Sequence, residues 1–273
     1  MVSEPVRDRA AVTGPMILLV GAGGFVGSAF ARFFDRHGIP YTGITRDSYA
    51  ASTGRAGTVL IHAAANSRKY LADSDWYADF EASVTSVLRT MRDFDVDRYV
   101  LISSVDVYDC LHDPDRNSEE AVIDPLRLST YGFHKYVAEA CVRRHRPRSL
   151  IVRLAGMVGP GLKKNPVFDV LHGQPLRIHP DSQYQFMSTD AVADIVWRLI
   201  ESAYPNGIIN VCGSGLISPR EIGEMAGLPV VVAPEARAAA PRVVHINTRR
   251  AQALVPLPDT RAAVTEFIAQ VRA

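Results

Sequence analysis

The sequence has little cysteine, no excess of either charge and no long apolar run, and each absence excludes a class of protein. Its three cysteines, Cys110, Cys141 and Cys212, are widely spaced and odd in number. This spacing fits neither a disulfide framework nor a set of metal ligands. We therefore expect a reducing cytoplasm, no bound metal, and thiols that are simply buried or half-buried.

The charge balance argues against polyanionic partners. The formal net charge is +1 over 273 residues, with neither a basic stripe nor an acidic tail, so nucleic acid and anionic membranes are poor partners. The apolar runs are too short to span a bilayer, and residues 1–14 lack the apolar core of a signal peptide. We expect a cytoplasmic protein that acts on a small molecule, preceded by a flexible extension over residues 1–15.

A short apolar strand over residues 17–20 runs directly into a glycine-rich turn, and residues 28–36 have the apolar spacing of a helix. Such a turn presents bare backbone N–H groups and a helix N-terminus to a pyrophosphate. Gly21 would permit the sharp turn, Gly24 the approach of the phosphates, and Gly27 close packing of the helix on the strand. The predicted cofactor contacts in this turn are Gly21, Gly23, Gly24, Phe25, Val26 and Gly27.

The second strand, over residues 40–45, ends where a dinucleotide fold meets the adenosine ribose. Arg46 follows it, and a guanidinium matches a phosphate in charge and in bidentate geometry. We therefore favour NADP(H), with Arg46 as the clamp on the 2′-phosphate, over NAD(H). The alternative is that Arg46 is a solvated turn residue and Asp47 binds the ribose hydroxyl.

The next strand, over residues 58–65, ends in the small residues Ala63, Ala64 and Ala65, against which a flat ring or ribose can lie. Only about a dozen residues separate it from Arg46, too few for a full helical crossover, so one element of the doubly wound pattern is expected to be trimmed. The loop that follows contains Arg68, which we predict as a contact for an anionic group of the substrate or, equally, as a solvated residue.

Tyr131 and Lys135 lie four residues apart in a segment, residues 130–144, that is typical of a helix, so both side chains share one face. A nearby ammonium and a positively charged nicotinamide would favour the phenolate and lower the pKa of the tyrosine. Tyr131 could then exchange a proton with a substrate oxygen, to which Ser104 would donate a hydrogen bond. The alternative is that Tyr131 only packs and Lys135 is a surface charge.

Several motifs together resemble one known family, the extended short-chain dehydrogenase/reductases of the NAD(P)-dependent sugar epimerase/dehydratase group. The segments that carry the resemblance are Gly21-x-x-Gly24-Phe25-Val26-Gly27, Val59-Leu60-Ile61-His62-Ala63-Ala64, Ser103-Ser104-x-x-Val107-Tyr108, Tyr131-Gly132-x-x-Lys135 with Glu139, and Arg153-Leu154-x-x-x-Val158-x-Gly159-Pro160-Gly161.

The resemblance implies an α/β fold, a Rossmann-type doubly wound parallel sheet with a small C-terminal substrate lobe. The dinucleotide-binding domain would cover residues 16–160 and the lobe most of residues 161–273, with residues 186–212 returning to the core. Ser104, Tyr131 and Lys135 would be catalytic, and Ser103, Tyr131 and Lys135 would contact the cofactor. The resemblance also implies a homodimer through the helices over residues 76–94 and 131–144.

The chain departs from the family pattern at several positions. Ser83 replaces the usual asparagine, and residues 183–188 lack the arginine that nucleotide-sugar enzymes use for the substrate diphosphate. The other cations that could replace that arginine are Lys163, Lys164, Arg177 and Arg242. Asp106 stands alone where dehydratases carry an Asp-Glu pair, which disfavours dehydration. Asp106 and Asn165 are candidate substrate contacts.

The sequence therefore predicts an NAD(P)-dependent oxidoreductase. Its substrate would be a nucleotide-linked sugar or a related metabolite, and the reaction would take place at a carbonyl or hydroxyl group. The first alternative is a nucleotide-sugar epimerase, which oxidises and re-reduces its substrate with no net use of cofactor. The second is a redox-silent NADP-binding sensor or scaffold, against which the intact Tyr131–Lys135 pair argues.

Overall fold

The computed structural model of the protein describes residues 16–65, 69, 72–202 and 206–272. A six-stranded, fully parallel sheet forms its centre, with the strand order β2-β1-β3-β4-β5-β9. Its strands are β1 (Ile17–Val20), β2 (Tyr41–Ile44), β3 (Ala56–His62), β4 (Asp95–Ser104), β5 (Ser149–Leu154) and β9 (Gly207–Val211). The predicted Rossmann-type parallel sheet is confirmed.

Helices cover both faces of this sheet, because each strand places apolar side chains on both faces. One face packs on α1 (Gly27–His37) and α7 (Thr189–Glu201). The other face packs on α4 (Ser86–Asp93) and α5 (Thr130–His145). The helix predicted over residues 76–94 forms as α3 (Trp76–Phe80), a π-helical turn over Glu81–Thr85, and then α4.

The connection between β2 and β3 is short. It contains only a single helical turn, α2 (Tyr49–Ser52), and β3 lies beside β1 on the side opposite β2. Among the described residues no strand lies beyond β2 at this edge, where a full doubly wound sheet has one more. The trimmed element that the sequence predicted is therefore this strand together with most of its crossover helix.

The smaller lobe has its own apolar core beside the carboxyl ends of the strands. Its strands are β6 (Gly156–Val158), β7 (Gln183–Tyr184), β8 (Phe186–Ser188) and β10 (Val243–Val244). Its helices are α6 (Pro166–Leu171), α8 (Pro219–Ala226), α9 (Pro234–Ala238) and α11 (Thr260–Arg272), and α10 (Arg249–Gln252) precedes α11. Helix α7 and strand β9 pack in the main core, and Ala251 of α10 packs there as well.

Two expectations concern residues outside the described part of the chain, namely the N-terminal extension over residues 1–15 and Arg68. In the part that the structure describes, none of the helices has the length and apolar character needed to cross a bilayer. The same described residues contain no cluster of three or more histidine, cysteine or acidic side chains arranged to hold a metal ion.

Candidate functional site

The glycine turn is packed so tightly that side chains are excluded at two of its positions. Gly21 has a φ of 85°, and a Cβ atom there would lie 2.7 Å from the backbone nitrogen of Ala64. A Cβ atom on Gly27 would lie 1.9 Å from the carbonyl oxygen of Gly21. Glycine at these positions lets the start of α1 pack against the turn and brings Ala64 beside it.

The N-terminus of α1 carries what a pyrophosphate requires. Its cap residue, Val26, offers no side-chain hydrogen bond, and the first turn contains no acidic residue. The Ser28 N–H donates to the Gly24 carbonyl at 2.8 Å, so the helix continues directly from the glycine turn. Its N-terminus carries the positive end of the helix dipole, and no carboxylate in the first turn repels an anion. Gly23 and Gly24 are exposed in front of this helix end. The residues present thus fit the dinucleotide that the sequence predicts.

Arg46 lies at the tip of the turn that follows β2. The Thr45 backbone N–H donates to the Ser48 hydroxyl at 2.9 Å, which closes the turn and leaves both Arg46 and Asp47 exposed. Both side chains follow the end of β2, at the same edge of the sheet as the glycine turn that follows β1.

Tyr131 is positioned by the start of α5. The Ser129 hydroxyl caps this helix by accepting a hydrogen bond from the Gly132 N–H at 3.1 Å. A Cβ atom on Gly132 would lie 2.2 Å from the carbonyl oxygen of Asp106, so glycine is needed for α5 to approach the segment after β4. This approach brings the half-buried Tyr131 to Ser104 and Asp106 at the carboxyl end of β4.

Ser104 and Asp106 form a closed hydrogen-bonded turn. The Ser104 hydroxyl donates to the Asp106 carboxylate at 3.1 Å and accepts from the Asp106 N–H at 3.1 Å. Lys69 binds the same carboxylate at 3.0 Å, and Arg242 of the smaller lobe approaches it to 3.6 Å. Burial alone would raise the pKa of Asp106, but Lys69, Arg242 and Ser104 together hold it below its ordinary value. Of the cations proposed for a substrate anion, Arg242 is therefore beside the site.

Lys135 is almost fully buried, with 2% of its side chain exposed, and its Nζ atom donates to the carbonyl oxygen of Ile102 at 3.0 Å. Burial lowers the pKa of this lysine to about 8, against the opposing effect of Glu139 and then Asp79. The amine is therefore mostly protonated at neutral pH.

The pKa of Tyr131 is shifted upwards in the protein without bound cofactor. Burial raises the pKa of Tyr131, and the carboxylates of Asp106 and Asp79 raise it further, while the hydrogen bond with Ser104 lowers it. The protein groups by themselves therefore raise the pKa of Tyr131. The lowering expected from Lys135 together with a bound nicotinamide stays a prediction.

Ser103 points away from the cleft. Its hydroxyl donates to Glu139 at 2.5 Å, and Glu139 also binds Arg153, whose Nη2 atom lies 2.6 Å from Oε2. Both charged side chains are buried, and the Arg153 guanidinium stacks 4.7 Å from the centre of the Tyr108 ring. The side chain of Ser103 thus supports a structural ion pair, which leaves only its backbone for the predicted contact with a cofactor.

A second buried pair lies beside Tyr131 and Lys135, and the sequence reasoning missed it. His134 Nδ1 and Asp79 Oδ2 are 2.6 Å apart, and their side chains are 6% and 1% exposed. His134 was visible between Tyr131 and Lys135 in the sequence, but nothing local indicated its partner on α3. Only the packing of α3 against α5 brings the two together.

The remaining candidates have different outcomes. The Asn165 amide is used inside the protein, because it accepts from the Phe168 N–H at 3.0 Å and donates to the Met157 carbonyl at 2.8 Å. It caps α6 and keeps little capacity for a substrate. Ser83 is buried in the π-helical turn, and its hydroxyl has no hydrogen-bond partner among the described residues.

Comparison with known proteins supplies the family. A profile of the NAD dependent epimerase/dehydratase family matches residues 57–212, more than half of the chain. The chain belongs to this family. The predicted resemblance to the extended short-chain dehydrogenase/reductases is thereby confirmed, as is the expectation of an NAD(P)-dependent enzyme of that type. A search of curated proteins by sequence found no match.

Solved structures of this family share the fold at low sequence identity. MoeE5 in complex with UDP-glucuronic acid and NAD is 20% identical with a TM-score of 0.80, covering 95% of this chain and 99% of that one. The dTDP-4-dehydrorhamnose reductase of Bacillus anthracis, in complex with NADP, is 16% identical with a TM-score of 0.76, covering 96% and 100%. UDP-glucuronic acid 4-epimerase of Bacillus cereus, in complex with UDP-glucuronic acid and NAD, is 17% identical with a TM-score of 0.74, covering 94% and 99%.

Proposed function

We propose that the protein is an NAD(P)-dependent oxidoreductase that interconverts a hydroxyl and a carbonyl on a sugar, with Tyr131 as the acid and base. The observation that carries this proposal is the meeting of Ser104, Tyr131 and Lys135 at the carboxyl end of β4, on the same edge of the sheet as the glycine turn. A bound nicotinamide supplies or accepts the hydride.

The chain's own groups handle the proton. Tyr131 is protonated at neutral pH as an ordinary tyrosine is, and burial and two carboxylates raise its pKa further. It is therefore ready to donate to a carbonyl oxygen that becomes a hydroxyl. The Ser104 hydroxyl now donates its hydrogen bond to Asp106, so it must rotate to donate to the substrate oxygen. The Asp106 charge then remains held by Lys69 and Arg242. Lys135, kept as a cation, stabilises negative charge that develops on the tyrosine.

Replacement of the tyrosine hydroxyl tests the assignment. Tyr131→Phe is expected to lower turnover by about 10²–10⁴-fold in a protein that still folds, because it removes the group that exchanges the proton and keeps the ring. Tyr136→Phe, on the same helix, is the matched control and should stay near wild type. Turnover is followed by NADPH or NADH absorbance. A Tyr131→Phe variant that retained most turnover would overturn the assignment.

The substrate that we propose is linked to a nucleoside diphosphate. The complexes with UDP-sugars among the structural neighbours support this class, and Arg242 beside Asp106 supplies a cation near the site. Calorimetric titration with UDP should give saturable binding that Arg242→Gln weakens by about tenfold, since a charge-assisted contact is lost. Equal binding of UDP and uridine would contradict a diphosphate subsite.

For the cofactor we propose NADPH, bound through Arg46. Arg46→Gln should weaken NADPH by about tenfold and leave NADH unchanged, because only the 2′-phosphate needs the guanidinium. Asp47→Asn is the opposing variant, since it should weaken NADH if Asp47 binds the ribose hydroxyl. Fluorescence titration with both cofactors separates the two readings. Tightly held oxidised NAD in the purified protein would instead support a self-regenerating epimerase.

We also propose a homodimer through the layer of α3, α4 and α5. This layer exposes large apolar side chains, namely Trp76 (63%), Tyr77 (60%), Leu88 (40%) and Phe133 (38%). Such a surface is typical of an interface between copies. Light scattering should give twice the chain mass, and Tyr77→Asp together with Phe133→Asp should give one chain mass. Val271→Asp, exposed on α11, is the control.

A further inference from the structure

The Asp106 carboxylate has two cationic partners for its one negative charge. Its Oδ2 atom accepts from the Ser104 hydroxyl at 3.1 Å and from Lys69 at 3.0 Å, and the same lysine lies 3.2 Å from Oδ1. Arg242 is a further partner, with its Nη2 atom 3.6 Å from Oδ1. One carboxylate is thus shared by a lysine, an arginine and a hydroxyl.

These contacts differ in how firmly they hold the carboxylate. Ser104 and Lys69 lie within hydrogen-bonding distance and between them reach both oxygens of a side chain that is only 14% exposed. The Arg242 contact is longer than an N–H···O hydrogen bond, which is ordinarily about 2.7–3.2 Å, and the Arg242 side chain is 48% exposed. Arg242 therefore adds charge to this cluster but little geometric constraint, and its contact is the one most easily shared with another anion.

The backbone of Arg242, in contrast, is fixed in the smaller lobe. Its N–H donates to the Ser182 hydroxyl at 3.0 Å, and its carbonyl accepts from the Gln183 N–H at 2.8 Å, directly before β10 pairs with β7. The guanidinium thus extends from an anchored base towards the carboxyl end of β4. Its position beside Asp106 does not depend on the long ion pair alone.

The contact between Arg242 and Asp106 lies beside the reacting groups. Asp106 binds the Ser104 hydroxyl, which must reach the substrate oxygen, and α5 brings Tyr131 to the same end of β4. A substrate anion bound to Arg242 would therefore meet the Asp106 carboxylate at the same guanidinium. Two anions at one guanidinium divide its charge and repel each other, so each weakens the binding of the other.

We propose that Asp106 competes with the substrate anion for Arg242 and thereby sets the affinity of the diphosphate subsite. The proposal deepens the proposed function, because it rests on the assignment of Arg242 to the substrate diphosphate. Asp106 acts as a specificity-determining residue. A single carboxylate on a substrate only matches the charge of Asp106, whereas a diphosphate offers two charged groups to the guanidinium and exceeds it.

Calorimetric titration with UDP measures the competition. Asp106→Asn removes the charge and keeps an oxygen that can accept from Ser104. UDP should therefore bind about threefold to fivefold more tightly, the range expected when a partly exposed ion pair no longer competes. If this variant does not fold, Asp106→Ala removes the same charge and carries the same expectation. Asp109→Asn is the matched control, because its carboxylate lies 3.9 Å from Arg127, and it should bind UDP as wild type does.

A double variant shows whether the effect passes through Arg242. Arg242→Gln weakens UDP binding in the proposed subsite. Adding Asp106→Asn to Arg242→Gln should then give no further change, because the group for which the two anions compete is gone. A gain of the same size without Arg242 would mean that Asp106 repels the ligand directly, and it would overturn the competition.

An equal or weaker affinity for UDP in folded Asp106→Asn would also overturn the proposal. If Arg242→Gln still weakened binding, that result would leave the diphosphate subsite intact and refute only the role of Asp106. If UDP bound neither to wild type nor to Asp106→Asn, the subsite and the competition would both be refuted. The role of Tyr131 is decided separately, by the turnover of Tyr131→Phe.

Discussion

Two buried pairs of side chains share helix α5, and they differ in the group that binds the carboxylate. Glu139 is bound by a permanently charged guanidinium and by the Ser103 hydroxyl, so both of its oxygens have partners. Asp79 is bound by an imidazole, whose charge is not fixed. The donor–acceptor distance is 2.6 Å in both pairs. The same distance therefore joins a carboxylate to a permanently charged guanidinium in one pair and to an imidazole in the other.

The partners of each pair lead to different surroundings. Arg153 connects Glu139 to the ring of Tyr108, whose hydroxyl donates to Asn210 at 2.9 Å, and this network ties β5 and β9 to the segment that follows β4. Glu139 raises the pKa of Lys135 more than Asp79 does, and Asp79 also raises the pKa of Tyr131. We conclude that the first pair joins elements of the fold, and that both carboxylates favour the protonated form of Lys135.

The largest expected effect comes from breaking the structural pair. Arg153→Met should lower the free energy of unfolding by about 3–5 kcal/mol, because it leaves the Glu139 charge buried without a partner. Urea denaturation measures this loss. The double variant Arg153→Met with Glu139→Leu should recover a large part of it. If the double variant were as unstable as the single one, the cost would lie in packing rather than in charge.

The second prediction concerns Lys135 and its pH dependence in the cofactor-free protein. The pKa of Lys135 in the folded protein is about 8 against an ordinary 10.5, so between these values the unfolded chain binds the additional proton. Stability therefore rises with pH in this window. Relative to Lys135→Met, wild type should gain about 1.5 kcal/mol between about pH 8 and about pH 9.5.

Urea denaturation of both proteins at several pH values measures this difference. Lys135→Met removes the titrating amine and keeps most of the apolar stem. The other groups that titrate in alkali are present in both proteins, so the difference between the two stability curves reports on Lys135. Parallel curves for the two proteins would mean that burial does not depress the pKa of Lys135, and would weaken the distinction between the two pairs.

The parts of the site that the sequence predicted are those set by local spacing. The glycine turn and the Tyr131–Lys135 pair lie within single elements, where the periods of strand and helix fix which side chains meet. The Asp79–His134 pair joins residues 55 positions apart, and its existence depends on how α3 packs on α5. The upward pKa shift of Tyr131 was also missed, since it depends on burial and on carboxylates from other elements.

The smallest expected effect on stability concerns an exposed ion pair, which serves as a reference for the two larger effects. Arg198 and Asp194 form an (i, i+4) pair at 2.8 Å on α7, with side chains 57% and 40% exposed. Water screens such a pair, so Arg198→Gln should change the free energy of unfolding by less than about 0.5 kcal/mol. The same denaturation measurement in high salt should leave wild type and variant equal. If Arg198→Gln lowered the free energy of unfolding as much as Arg153→Met, the exposed Arg198–Asp194 pair would be as stabilising as the buried Arg153–Glu139 pair. Burial could not then explain why the Arg153–Glu139 pair matters more for stability.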